Sequence, residues 1–198
     1  MPDCAYDFID AKLFGDESTT GILYHGSLAL RNPVSYASLQ TIKAQQQGKI
    51  FVDVNLRVPW WNRERLLRDL NEADWVKLNV QELFILAPDH IDLHAAMLSF
   101  CQQYHLETLV VTLGSQGAVA CDANRHFVTV KPPEKTTVVD TVGAGDAFAA
   151  ILILGIIKHW PLAETLERAQ AFASAVVGKR GATVTQRAFY RDFITQWR

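Results

Sequence analysis

The sequence predicts an α/β fold, a mainly parallel sheet with helices on its faces. Two observations predict it. Short β-branched or apolar runs, such as Ile50-Phe51-Val52 and Leu109-Val110-Val111, alternate with stretches whose apolar residues recur at helical spacing. That alternation marks strand–helix–strand units, whose strands run parallel and bury both faces. The second observation is size: 198 residues, 49% apolar and 20% charged, suffice for one sizeable core and are short for two.

The elements follow in order. Residues 1–20 scatter Asp3, Asp7, Asp10, Asp16 and Glu17 among Phe8, Leu13 and Phe14, which predicts an irregular or partly ordered segment, with the domain proper over 21–198. Gly21–Gly26 reads as a short strand ending in a glycine turn. From Pro33 to Gln47, Val34, Leu39, Ile42 and Ala44 share a face, so a helix is expected, stopped by Gly48. Lys49–Val54 reads as a strand and Pro59-Trp60-Trp61 as a loop. Asn62 can cap a helix over 63–71 with Leu66, Leu67 and Leu70 inward. Ala73–Leu78 is a strand, and Asn79 opens a short helix to Leu86, broken at Pro88. Helix is expected over 91–104 and a buried strand over 109–113. Gly114 and Gly117 bracket a tight turn, followed by a hairpin of 118–121 and 127–130. After Pro132-Pro133, helices are expected over 144–157, 161–177 and 187–197.

Composition excludes several classes. With 19 basic and 21 acidic residues there is no basic excess for nucleic acid, and no Lys/Arg run for a membrane surface. Cys4, Cys101 and Cys121 match no metal knuckle and read as thiols in a reducing compartment. No apolar signal core follows Met1, and the longest apolar stretch, 147–157, falls short of the about 20 residues that span a bilayer. A cytoplasmic protein is expected.

One run carries chemistry: Asp140-Thr141-Val142-Gly143-Ala144-Gly145-Asp146, just before a strongly helical apolar stretch. Small residues let backbone N–H groups approach a ligand, and a helix N-terminus adds unpaired donors and positive potential. Together they suit a phosphoryl group. Asp146 in the first turn could complement the helix dipole or accept a proton from an attacking hydroxyl.

The nine positions from Asp140 to Phe148 resemble the C-terminal signature of the ribokinase-like (PfkB-type) carbohydrate kinases, Asp-Thr-x-Gly-Ala-Gly-Asp-x-Phe. The resemblance implies a three-layer sandwich, ATP and Mg2+ as cofactors, a monovalent cation such as K+, and a sugar acceptor. It implies Asp146 as catalytic base and the backbone of Gly143, Ala144 and Gly145 as anion hole. Asn79-Val80-Gln81-Glu82 is similar to the family's Asn-x-x-Glu motif, which places Mg2+ and phosphate and so implies Glu82 at the metal; a plain capping box reads the same residues. Thr112-Leu113-Gly114-Ser115-Gln116-Gly117 resembles the nucleotide-binding turn, or is an ordinary glycine-rich connection. Asp53-Val54-Asn55-Leu56-Arg57, with Trp60 beyond, and His25–Leu30 look fructokinase-like or 2-keto-3-deoxygluconate kinase-like. Arg57 and Asp140 then fall on the substrate side. Arg57 could equally pair with a neighbouring carboxylate, and Asp140 with Thr141 could form a turn and cap. Gly178–Ala182, with Gly181, is similar to the segment that closes the anion loop near adenine.

The resemblance runs from about Ile22 to near the C-terminus. Relatives begin with early strands, a small β lid and a Gly-Gly-rich motif that residues 1–20 do not match. A truncated or frameshifted gene, an engineered fragment and a part supplied by another polypeptide all remain open, as does a homodimer. The expected function is transfer of the ATP γ-phosphoryl group to a sugar hydroxyl, with fructose favoured. The alternative is a non-catalytic nucleotide-binding module. A dinucleotide-binding oxidoreductase would need Gly-x-Gly-x-x-Gly after the first strand, and a P-loop would need Gly-Lys-Ser/Thr; neither is present.

Overall fold

The computed structural model describes residues 4, 7–14, 20–134 and 138–197. Of the expected irregular start, 1–3, 5–6 and 15–19 lie outside them. Ala11–Phe14 forms a 3₁₀ turn, and Asp7 is buried against Arg31, with Nε and Nη2 donating at 2.7 and 2.6 Å. The chain divides into two compact units. One runs up to Thr112 and takes in Ala120–Phe127; the other holds Leu113–Val119 and Val128–Arg198.

The first unit is built from strand–helix repeats. β1 (Leu23–Gly26), β2 (Ile50–Asp53), β3 (Trp75–Asn79) and β4 (Thr108–Thr112) pair in parallel, in sequence order. Helices α1 (Pro33–Gln45), α2 (Arg63–Asn71), α3 (Val80–Leu86) and α4 (Leu93–Gln103) fill the connections. β5 (Ala118–Cys121) and β6 (Phe127–Val130) continue the strand order to six. Phe51, Val76, Leu109, Val110 and Val111 are fully buried, with Leu70, Leu83, Met97 and Phe100 from the helices. Burying each such side chain contributes about 1.5–3 kcal/mol.

Local chemistry sets the boundaries. Asn32, Asn62, Asn79 and Asp92 cap α1 to α4, each accepting a backbone N–H in the first turn. The expected role of Gly48 changes. The helix already ends at Gln45, and its C-cap, Gln46, donates its N–H to Lys43 O at 3.1 Å. Gly48 instead lets two backbone segments pass, since a Cβ there would overlap the carbonyls of Thr20 and Gly21.

The second unit consists mainly of α5 (Ala144–Lys158), α6 (Leu162–Val177) and α7 (Arg187–Gln196). Gly155 lets α5 approach α6, because a Cβ there would meet the Thr165 side chain. Phe172 on α6 anchors α7 through tilted contacts with Phe189 and Tyr190 and edge-on contacts with Phe193 and the C-cap Trp197. Arg168 lies 3.9 Å over the Trp160 ring and pairs with Glu164 at 2.5 Å.

Candidate active site

The second unit carries the glycine loop. Gly143 is the N-cap of α5 at φ 84°, and a Cβ there would fall 2.6 Å from the Ala182 carbonyl oxygen. Only glycine fits that conformation and that space. Asp140 pins the loop from both sides: Oδ1 accepts Val142 N–H and Oδ2 accepts Gly181 N–H, each at 3.0 Å. These two bonds hold its carboxyl below the usual carboxylate range. The backbone of Val139 and Asp140 also donates to Val177 O at 3.0 and 3.1 Å.

The helix makes its first internal bond from Ala147 N–H to Gly143 O at 2.8 Å. The N–H groups of Gly145 and Asp146 therefore stand ahead of the hydrogen-bonded ladder, and both residues are exposed. Asp146 opens, with Ala147, Ala150, Ile151 and Leu154, onto a cavity of about 680 Å3 within this unit. A second cavity, of about 550 Å3, is bounded by Pro133, Ser174, Ala175, Gly178, Lys179 and Phe189. Gly114 and Gly117, at φ 61° and 99°, form the turn after β4. Leu113 N–H donates to Gly117 O at 2.8 Å. A Cβ on Gly117 would collide with the Val130 carbonyl.

The first unit carries the other group. Asn79 and Glu82 form a reciprocal capping box: Asn79 Oδ1 accepts Glu82 N–H at 2.9 Å, and Glu82 Oε2 accepts Asn79 N–H at 2.8 Å. The second oxygen of Glu82 accepts Leu56 N–H at 2.7 Å, which draws the segment leading to Arg57 onto α3. Thr112 stands beside Asn79 in register, and its hydroxyl donates to Leu78 O at 3.4 Å. Arg57 is exposed, and among the described residues no carboxylate pairs with it.

Sequence reasoning missed a buried ion pair between β2 and β3, Asp53 with Lys77, which the exposed Tyr24 of β1 joins. Lys77 Nζ donates to both Asp53 oxygens at 2.9 and 2.8 Å, and Tyr24 donates its hydroxyl to Asp53 Oδ2 at 3.1 Å. The signal was available: a lysine and an aspartate interrupt otherwise apolar strand runs, and buried charges are paired. Ser27, which ties its hydroxyl to Asn55 O at 3.1 Å, had no such signal.

Among the described residues no cluster of three or more His, Cys, Asp or Glu could form a metal cage. Both Glu82 oxygens accept backbone amides, which fixes the carboxylate in place. Magnesium does not require a protein cage, since phosphate and water oxygens commonly complete its shell.

Parallel strands joined by helices in the first unit define an α/β protein, and in the second a bare helix N-terminus bearing a carboxylate is suited to a phosphoryl group. The chain belongs to the pfkB family carbohydrate kinases, whose pattern matches residues 18–188. It is 30% identical to a fructokinase of Salmonella thompson over 176 residues, covering 82% of this chain and 76% of that one. With a fructokinase of Klebsiella pneumoniae it shares 34% over 160 residues, covering 75% and 50%. Among solved structures, it resembles a double mutant of fructokinase from Vibrio cholerae O395 in a fructose-, ADP- and potassium-bound form. The TM-score is 0.76 at 26% identity, over 93% of this chain and 64% of that one. Aminoimidazole riboside kinase from Salmonella enterica shares the fold, with a TM-score of 0.77 at 24% identity. The chain thus spans half to three quarters of the length of these relatives. No helix among the described residues is long and apolar enough to cross a membrane.

Proposed function

We propose that this chain carries the donor side of an ATP-dependent sugar kinase, which transfers the γ-phosphoryl group to a sugar hydroxyl. The observation that carries the reading is the pinned loop: Asp140 bridges Val142 and Gly181, Gly143 turns at positive φ, and Gly145 and Asp146 stand bare at the head of a 15-residue helix. Asp146, exposed in the first turn of the helix, accepts the proton of the attacking hydroxyl. The backbone of Gly143, Ala144 and Gly145 faces the charge that grows on the transferred group. Donors of this kind are worth about 3–4 kcal/mol in comparable anion holes. Magnesium, when bound, neutralises the phosphates. By the family resemblance, Asn79 and Thr112 of the first unit and Gly114 and Gly117 of the second are nucleotide-binding residues. The cavity beside Gly178 and Lys179 has room for a purine ring and is our candidate for the adenine. Potassium near the Asp140 loop is in keeping with the potassium-bound relative. Fructose is the favoured acceptor because fructokinases stand among the most similar relatives. ATP as donor puts the reaction in the cytoplasm.

A coupled assay of ADP release with fructose, ribose and 2-keto-3-deoxygluconate tests the reading. Release accelerated by a sugar supports it, and release that no sugar accelerates opposes it. A second reading is a nucleotide-binding module without turnover, which keeps the pinned loop. Calorimetry that finds MgATP binding with no sugar phosphorylation supports that alternative.

A further inference from the structure

Glu82 does more in this fold than close a helix cap. It is 7% exposed, and its two oxygens serve two separate backbone segments. Oε2 accepts Asn79 N–H at 2.8 Å, while Oε1 accepts Leu56 N–H at 2.7 Å, 26 residues back along the chain. The segment holding Leu56 has two other ties: Val54 N–H donates to Lys77 O at 2.9 Å, and Ser27 Oγ donates to Asn55 O at 3.1 Å. Asn55 sits at φ 43°, a left-handed conformation that asparagine tolerates better than most residues. Arg57 follows at once, with its own carbonyl accepting Trp60 N–H at 2.6 Å. Its backbone is held on both sides, while its side chain is exposed.

We propose that Glu82 is a positioning residue that clamps the 54–57 segment, and with it Arg57, to the end of β3, and that it is not a direct ligand of the divalent cation. An octahedral cation keeps several waters and needs an accessible oxygen. The Glu82 carboxylate, 7% exposed and fixed by two amides, is buried away from such a hydrated shell. The proposal rests on the kinase reading only for its nucleotide measurement.

Glu82→Gln tests it in the intact chain, since the amide keeps one acceptor and turns an N–H2 group toward the other donor. Amide exchange at Leu56 and Asn79 is expected to quicken roughly tenfold, with the β4 amides unchanged. The Arg57 Nε–H resonance, followed through a titration with inorganic phosphate, is expected to respond in the parent chain and less in the variant. The Mg2+ concentration that half-saturates ATP binding by calorimetry is expected to stay within about twofold. Unchanged exchange at Leu56, identical phosphate titrations, or a roughly tenfold higher Mg2+ requirement would overturn the proposal. If Glu82→Gln fails to fold, Glu82→Asp keeps the charge but is one methylene too short to reach both amides. A Leu56 amide as protected there as in the parent also counts against the clamp. A parent chain that binds no ATP would count against the kinase reading, with the exchange result still deciding the clamp.

Discussion

Asp140 holds two stretches of backbone with one carboxylate. Its folded pKa lies below the ordinary value of 3.8 because Val142 and Gly181 donate to the charged form. The sign follows from linkage: the bridge contributes fully above the ordinary carboxylate pKa and is lost as pH falls through the depressed folded value. An NMR titration of the Asp140 carboxyl carbon is expected to give a midpoint below 3.8. Asp140→Ala is expected to weaken MgATP binding roughly tenfold by releasing the loop. His25 on β1 titrates in the opposite chemical sense. Burial, and then the Lys43 charge, push its imidazole down to about 3. Its Nε2 has no hydrogen-bond partner among the described residues. The unfolded chain binds the proton more readily, so stability is lost as pH falls below about 6.5. Melting temperature is expected to drop between about pH 6.5 and 4, and His25→Phe to flatten that slope.

At the scale of elements, glycines and caps divide the labour. Gly143→Ala forces a Cβ against Ala182 at positive φ, which costs about 1–2 kcal/mol for the backbone alone. Urea denaturation is expected to show that loss, and calorimetry a weaker nucleotide affinity. In the sheet, Leu109→Ala empties a fully buried site in β4 and is expected to lower unfolding free energy by about 2–5 kcal/mol. Much of this level was legible in the sequence. The helices over 63–71 and 80–86 and the hairpin strands 118–121 and 127–130 lie where their caps and turn residues put them. Other boundaries shifted by a few residues, because Asp92 rather than Ile91 opens α4 and backbone pairing rather than composition ends β3 at Asn79. Gly48 misled for a clear reason: glycine after a helix is usually a stop, and only the fold shows that another backbone passes there.

At the scale of the whole molecule, the candidate residues are shared between the units: Arg57, Asn79, Glu82 and Thr112 in one, Gly114, Gly117 and the Asp140–Asp146 loop with Gly181 in the other. The glycine loop was legible because its chemistry is local, confined to adjacent backbone groups. The ties from Glu82 to Leu56, from Lys77 to Asp53 and from Ser27 to Asn55 were not, because each joins residues 24 to 28 apart that only the parallel pairing brings side by side. The central claim is that Asp146 serves as the base of a sugar kinase. Its most direct test is kcat for ATP-dependent phosphorylation of fructose, measured for the parent chain and for Asp146→Asn. A loss of roughly 10²–10⁴-fold with MgATP affinity retained is the expected result. Equal turnover in the two proteins would contradict the claim.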